Sequence, residues 1–431
     1  MKAENMAASP MCNMELTASI ERSLNEKHCQ DHLQVLKTFT SSLREQEFRD
    51  AVKEEAFLSL FKVLSRLSED LQNTCSQDQD LESVGLLLQL LAECFRAQRN
   101  ACVQNTRNQN RLRRLLSTED EKTVNYASMV LHTCLDEAKV EEMSEPENVQ
   151  LALRVMELCR TQPDLDWTVL IATQHFLKSS ALVEGMYSGM SNQERVTLLE
   201  LIFAQLREED SEECGIPASV AAFLASSFQK ACGAVLTLAT GSASSDEVLQ
   251  EALTVISLLD VLCEMTSDLK QFMFLQDHPD LLITTVELLK QVHAIGKASK
   301  NIFSSAQNFS SISGDGEMSS QSPVISFKAH LIRLIGNLCH NNPSNQDKVR
   351  ELEGLTVILD NCNIDSNNPF ISQWSIFAIR NLLKHNLQNQ ELVASLERQG
   401  TADYSALRAL GFLVEERDGS LLLKPVRKDE C

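Results

Sequence analysis

The stretch Asn337-Leu-Cys-His-Asn-Asn342-Pro-Ser-Asn345-Gln346 recurs 44 residues later as Asn381-Leu-Leu-Lys-His-Asn386-Leu-Gln-Asn389-Gln390. It occurs once more upstream as Asn100-Ala-Cys-Val-Gln-Asn105-Thr-Arg-Asn108-Gln109. In all three, Asn stands at the start, five on and eight on, followed by Gln. A spacing of 44 falls within the armadillo/HEAT period of about 40–47 residues. Enzyme motifs seldom recur along a chain, whereas a repeated helix–turn–helix unit repeats its punctuation. The pattern therefore predicts an all-α fold, an armadillo/HEAT-like α-solenoid.

The residues around the two downstream copies support this. Phe327, Leu331, Leu334, Ile335 and Leu338 fall at 0, 4, 7, 8 and 11, one face of a helix. Asn342 suits a left-handed C-cap and Pro343 stops the helix from continuing. Asn345 is expected to cap the next helix, with Asp347 in its first turn, and Asn386, Asn389 and Glu391 repeat that logic. Gly354 is expected to end the short helix. Farther out, helices are predicted at Leu81–Ala101, Val124–Leu135, Val149–Arg160, Asp166–Phe176, Gln193–Leu206, Pro217–Leu238, Glu247–Met265 and Leu281–Ile295. At the end, Phe412–Glu415 and Leu421–Pro425 flank Asp418-Gly419, which predicts a small C-terminal β-hairpin.

Five segments follow from this reading. Residues 1–14 are a disordered N-terminus, 15–296 irregular helical repeats, and 297–326 a Ser-rich mobile loop open to phosphorylation. Residues 327–426 form an armadillo-like C-terminal domain ending in the hairpin, and 427–431 a tail.

Composition narrows the function. Hydrophobic residues make up 43% of the 431, ample for a core, and only 14 Gly and 9 Pro argue against a turn-rich β fold. A net charge of −21 repels a phosphate backbone, so nucleic-acid binding is not expected. The acidic runs Asp136–Glu147 and Glu208–Glu213 read as solvated surface before they read as docking sites for basic partners. Thirteen cysteines lie scattered with no CxxC pair, as in a reduced cytosolic protein. No stretch approaches 18 uninterrupted apolar residues, so membrane insertion is not expected.

No catalytic, cofactor or metal set stands out. Gly185-Met-Tyr-Ser-Gly189 places Ser188 one position late for a nucleophile elbow and is expected to be a loop. His28 and His32 have the i, i+4 spacing of helical zinc ligands, but no third ligand lies near them. The candidate protein-binding residues are Arg333, Asn337, Arg380 and Asn381, read as lying along one groove. The arginines offer positive charge in an acidic chain, and the amides can hold a peptide backbone. For the amides, bridging neighbouring repeats is the alternative role. For Arg380 the alternative is covering apolar surface with its stem.

The chain also resembles the ataxin-10 family. The residues that carry the likeness are Phe327-Lys-Ala-His-Leu-Ile-Arg-Leu-Ile-Gly-Asn337-Leu-Cys, Asn345-Gln-Asp-Lys-Val, Ile358-Leu-Asp-Asn-Cys-Asn363, Asn368-Pro-Phe and Ala378-Ile-Arg-Asn-Leu382. Farther back, Asn192-Gln-Glu-Arg-Val-Thr-Leu-Leu199 and Leu258-Leu-Asp-Val-Leu-Cys-Glu-Met-Thr266 are similar to it as well. The likeness runs from about Leu81 to the C-terminus, and about one and a half repeats of the family are absent after Asn110. It implies a non-enzymatic cytoplasmic, perinuclear scaffold, found also at the midbody and the centrosome or ciliary basal body. The roles implied are neuronal survival, neurite outgrowth through Ras–MAP kinase signalling, and cytokinesis. The partners implied are the G-protein β subunit, O-linked N-acetylglucosamine transferase, centrosomal and ciliary proteins, and further copies of the chain as a homo-oligomer. An exchange factor or chaperone for a G-protein subunit, and a hydrolase or zinc enzyme, are the competing readings.

Overall fold

The computed structural model describes residues 29–45, 121–207, 215–238, 246–267, 271–305, 324–363 and 365–396, the strands 412–417 and 420–425, and scattered positions between 48 and 117. Residues 1–14, His28, the side chain of His32, residues 306–323 of the Ser-rich segment, the Asp418-Gly419 turn and the tail lie outside the described residues. The chain divides into two compact units. Unit one is Met1–Gln205 with Gly215–Val220, and unit two is Leu206–Cys214 with Ala221–Cys431. The division falls inside the stretch 15–296.

The described helices of the first unit are α1 (Cys29–Ser42), α2 (Glu121–Cys134), α3 (Glu137–Met143), α4 (Val149–Thr161), α5 (Asp166–Gln174), α6 (Ser180–Gly189) and α7 (Asn192–Leu206). α5 packs on both α2 and α4, and α6 on α3 and α4. α4 shows why: Leu151, Ala152, Val155, Met156, Leu158 and Cys159 are all buried, a broad apolar stripe at helical spacing. α3 lies within the acidic run Asp136–Glu147. Asp136 caps it by accepting from the backbone N–H of Lys139 at 2.9 Å, and Val140 and Met143 point inward. An acidic run here conceals a helix because its two apolar residues suffice to seat it.

α8 (Ala218–Ala231) begins at the division and is followed by α9 (Ala234–Thr237). The expected single helix Pro217–Leu238 is therefore interrupted at Cys232-Gly233. Although Ala218–Thr237 is long and apolar enough to cross a membrane by composition, Val220, Ala221, Leu224, Ala225 and Phe228 are wholly buried in the protein core.

The second unit continues with α10 (Asp246–Met265), α11 (Leu281–Ala298), α12 (Phe327–Leu338), α13 (Pro343–Glu351), α14 (Gly354–Asp360), α15 (Ile371–Leu383) and α16 (Leu387–Ser395). α12 is its centre, packed against α10, α11 and α15. Only His330 and Arg333 in its body keep partial exposure. The N-terminus of α12 is capped from outside its own repeat. Asn368 Oδ1 accepts from the backbone N–H of Lys328 at 3.0 Å and of Ala329 at 3.4 Å. Beside it, the buried ammonium of Lys328 pairs with Asp365 at 3.3 Å. Strand β1 (Phe412–Arg417) pairs antiparallel with β2 (Ser420–Pro425), with Phe412 opposite Pro425 and Arg417 opposite Ser420.

Turn chemistry differs from the sequence expectation by a few residues. Asn341 (φ 53) and His385 (φ 58) take the left-handed conformation. Asn342 and Asn386 are instead the N-caps of α13 and α16. Each accepts from the N–H three residues on, at 3.1 Å to Asn345 and 3.0 Å to Asn389. Pro343 fits this placement, since a proline at the first helical position lacks only an N–H that would have had no helical partner. Gly354 opens α14 rather than ending α13, and Glu353 carries the left-handed turn (φ 59). A Cβ at Gly354 would stand 2.9 Å from Val286 Cγ1, so glycine is required there by close packing. The start of the Ser-rich segment is packed as well. Asn301 Nδ2 donates to Ile295 O at 2.8 Å, Ser304 Oγ donates to Gly296 O at 3.0 Å, and Phe303 is buried.

The described cysteines are free, and most are buried. Burial pushes the Cys94 thiol up to about 12 and Cys159 to about 11, and raises Cys263 and Cys339 as well. They act as small hydrophobes rather than nucleophiles.

At Gly336 a Cβ would meet the Phe377 ring at 2.9 Å and Ala378 Cα at 3.0 Å, so Gly336→Ala should cost about 1–3 kcal/mol in urea unfolding. Acid should also weaken this unit. Asn361 Nδ2 donates to His293 Nδ1 at 3.2 Å, which leaves Nε2–H to face Asp360 Oδ2 at 3.3 Å, the neutral tautomer. Burial and then Lys297 hold His293 below its ordinary 6.5. The unfolded chain therefore binds more protons as pH falls through 6.5, and stability declines. Burial alone would raise Asp360, but its bonds to Lys297 and His293 outweigh this and hold it below 3.8. Its contribution is present above 3.8 and lost on further acidification. Thermal melts from pH 7 to 5 should show a falling Tm, and His293→Gln should flatten that slope.

Candidate partner-binding face

The repeated asparagines are spent inside the protein. Asn337 is buried, and its Nδ2 donates to Cys263 O at 3.2 Å and Thr266 Oγ1 at 2.9 Å on the α10 side. Asn381 is also buried and donates to Gly336 O in α12 at 2.9 Å. In the first unit, Asn100 Nδ2 donates to Thr40 O at 2.9 Å. Each motif's first Asn thus ties its helix to a backbone carbonyl of an earlier helix. Each accepting carbonyl lies in the last turn of its helix, where the N–H four residues on bonds the following carbonyl instead (Ser267 to Glu264, His340 to Asn337, Arg44 to Ser41), so the amide reaches an acceptor that the helix itself leaves open.

The other motif positions do related work. Gln346 Nε2 donates to Asn381 O at 2.8 Å and Cys339 O at 3.3 Å, and Gln390 Nε2 to Leu383 O at 2.7 Å. Asn345 Nδ2 donates to Gln276 O and Leu338 O, both at 2.9 Å. Asn389 is fully buried, donating to Leu382 O at 2.8 Å and accepting from Arg350 at 2.8 Å. These carbonyls lie at helix C-termini, where the last turn leaves acceptors open. Gln276 does the same for α12, donating to Asn337 O at 3.2 Å and His340 O at 2.9 Å. The sequence motif misses this residue because the asparagines that would announce it are not there.

Arg333 is held on both sides. Its guanidinium donates to Glu264 at 3.1 Å and Ser267 Oγ at 2.7 Å, and lies 4.8 Å over the Trp374 ring on α15. One turn earlier, His330 bonds to Asp260. Trp374 in turn meets Phe377 edge-on at 5.8 Å. His330, Arg333, Trp374 and Phe377 form a partly exposed stripe across α12 and α15. Arg380 is exposed but lies about 100° around the helix from Asn381, beside Ile376 rather than in this stripe. The four residues read as one groove are therefore split. Arg333 sits in the stripe, Asn337 and Asn381 sit beneath it, and Arg380 sits on the adjoining face.

The residues considered for catalysis are placed differently from expectation. Gly185–Gly189 is the end of helix α6 rather than a loop, and Ser188 Oγ donates to Glu184 O at 2.9 Å. The backbone there has no strand-to-helix elbow. Among the described residues no group of three or more His, Cys, Asp or Glu could hold a metal ion.

If the asparagines are clamps, Asn381→Ala should cost about 1–3 kcal/mol, and Asn381→Asp more at pH 7. An ionised carboxylate only accepts, and would face the Gly336 carbonyl with no proton to offer. Urea titrations of both variants at pH 7 and pH 5 check this, with the Asp variant recovering in part at the lower pH.

Residues 327–424 match a family profile described as the spinocerebellar ataxia type 10 protein domain. Ataxin-10 of Bos taurus is 38% identical over 455 aligned positions, covering 91% of this chain and 94% of that protein. Ataxin-10 of Homo sapiens is 37% identical over 458 positions, covering 92% and 94%. The ataxin-10 homolog of Dictyostelium discoideum is 47% identical over 105 residues, 24% of this chain and 17% of that protein. The vertebrate likeness extends farther toward the N-terminus than Leu81. Its 455 aligned positions exceed the 431 residues here, so that relative carries residues with no counterpart in this chain. Among solved structures, an engineered protein superposes with a TM-score of 0.25 at 11% identity, over 88% of this chain and 96% of its own, a likeness too loose to carry a fold. By identity of more than a third over nine-tenths of its length, the chain belongs to the ataxin-10 family.

Proposed function

We propose that the chain is a non-enzymatic, armadillo-like α-solenoid scaffold of the cytoplasm that brings signalling and division proteins together. The observation that carries this reading is the Asn337 and Asn381 pair of clamps. They join α10, α12 and α15 in one register and leave the His330–Arg333–Trp374–Phe377 stripe partly open along them. Such a surface offers a partner aromatic faces and charge on a rigid support, which favours protein recognition over turnover. Arg333 and Arg380 are the proposed partner contacts, with Asn337 and Asn381 supporting the surface from within.

By family membership, the proposed roles are neuronal survival, neurite outgrowth through Ras–MAP kinase signalling, and cytokinesis, at perinuclear, midbody and centrosomal or basal-body locations. The G-protein β subunit, O-linked N-acetylglucosamine transferase, centrosomal and ciliary proteins, and self-association are the proposed partners. The test is pull-down of purified G-protein β subunit and O-linked N-acetylglucosamine transferase by full-length variants, with thermal melts alongside. Trp374→Ala and Arg380→Ala should each lose a partner. Arg380→Ala should leave the melt unchanged because its side chain is exposed. Arg333→Ala should lower it, having lost Glu264 and Ser267. Retention of both partners by all three variants would remove these residues from the binding surface. Nucleotide exchange on added G protein would favour an exchange factor over a scaffold.

A further inference from the structure

The register of the second unit marks a seat that no described helix fills. Asn337 donates to the carbonyl of Cys263, and Asn381 to that of Gly336. A 44-residue step from Gly336 reaches Arg380, so Cys263, Gly336 and Arg380 hold the same place on α10, α12 and α15. One turn earlier the equivalent residues are Leu259, Ile332 and Ile376. Leu259 and Ile332 are wholly buried, but Ile376 is 65% exposed. A further turn back, Ala329 is buried and its counterpart Gln373 is exposed. What covers this place on α12 is α15 itself, with the Phe377 ring and Ala378 seated on Gly336. Among the described residues, α15 packs closely on α12, α13, α14 and α16 only, none of which covers this face.

We propose that the Gln373–Ile376–Arg380 face of α15 docks an amphipathic α-helix of a partner protein, with an apolar stripe flanked by acidic residues. A helix is the occupant because a helix fills the equivalent seat on α12. An apolar stripe matches Ile376, which is exposed at a repeat position that α10 and α12 bury through Leu259 and Ile332. Acidic flanks match Arg380, exposed near the end of α15 in a chain of net charge −21, with Lys384 just beyond it donating to Asn341 Oδ1 at 2.9 Å and adding to the local positive charge. A two-fold contact with a second copy through this face would set these cations against themselves. The proposal rests on the scaffold reading and shares Arg380 with it, but Ile376 belongs to this face alone, so indifference to Ile376→Asp sinks this proposal while leaving the Trp374 test of the scaffold reading untouched.

The experiment uses the full-length chain and two fluorescent helical probes of about five turns, each with a leucine stripe at i, i+3, i+4 and i+7. One has glutamates on both flanks and the other lysines. Fluorescence anisotropy should show binding of the glutamate probe alone. Ile376→Asp should weaken it by at least about tenfold, and Arg380→Glu should reverse the preference, with melts unchanged. Equal binding of both probes, binding of neither, or indifference to Ile376→Asp would overturn the proposal. So would a concentration-dependent dimer that Ile376→Asp dissolves, which would give the face to a second copy. Amide protection across 412–425 that Ile376→Asp abolishes would overturn it too, giving the face to the chain's own hairpin.

Discussion

Stacking helices by apolar contact alone fixes distance but not register, because one ridge of leucines slides past another at little cost. The amide-to-carbonyl clamp removes that freedom. When Asn337 reaches Cys263 O and Thr266, and Asn381 reaches Gly336 O, α12 cannot shift a turn along α10, nor α15 along α12, without orphaning buried donors and acceptors. Everything else in the second unit depends on that alignment. Gly336 is a glycine because the clamp brings Phe377 and Ala378 directly onto it. Arg333 reaches both Glu264 and Trp374 because the register sets it between them.

Asparagine suits this role where serine or glutamine would not. Its short side chain reaches the neighbouring backbone with few rotamers to lose, and its NH₂ supplies donors to carbonyls that the last turn of the earlier helix leaves open. The glutamines that end the motif use a longer reach for other carbonyls of the same kind, left open where a helix stops. Gln276, Gln346 and Gln390 each close such an end. The paired devices explain how a chain with so few glycines and prolines terminates its helices sharply. Side-chain amides satisfy the ends that turn residues would otherwise serve.

Much of this was legible in the sequence, because a repeat writes the same punctuation each time. The core helices of the second unit fall close to where apolar spacing puts them. Three kinds of feature were not legible. α3 hides in an acidic run because Val140 and Met143 are the whole of its buried face, too few to make a period. The cap positions shift by three residues, because a sequence of Asn, Pro and Asn offers two candidate caps and only the backbone decides between them. The intended groove divides because neighbouring residues on a helix, Arg380 and Asn381, point in different directions however close they stand in the chain. The buried or exposed fate of an amide depends on which carbonyl faces it across the interface, a fact of tertiary packing that no single repeat contains.

The clamps also separate two meanings of the word domain. The profile that marks the family begins at residue 327, where α12 begins. Yet the bonds that hold α12 are anchored in α10 at Cys263 and Thr266, and its flanks are walled by α10 and α11. A fragment cut at 327 would keep the residues by which relatives are recognised and discard the partners of Asn337, His330 and Arg333. It would also bare the leucine and isoleucine side of α12 to water. The heritable unit and the foldable unit are offset by two helices, so a protein built this way lengthens or shortens safely only where an amide is not reaching back.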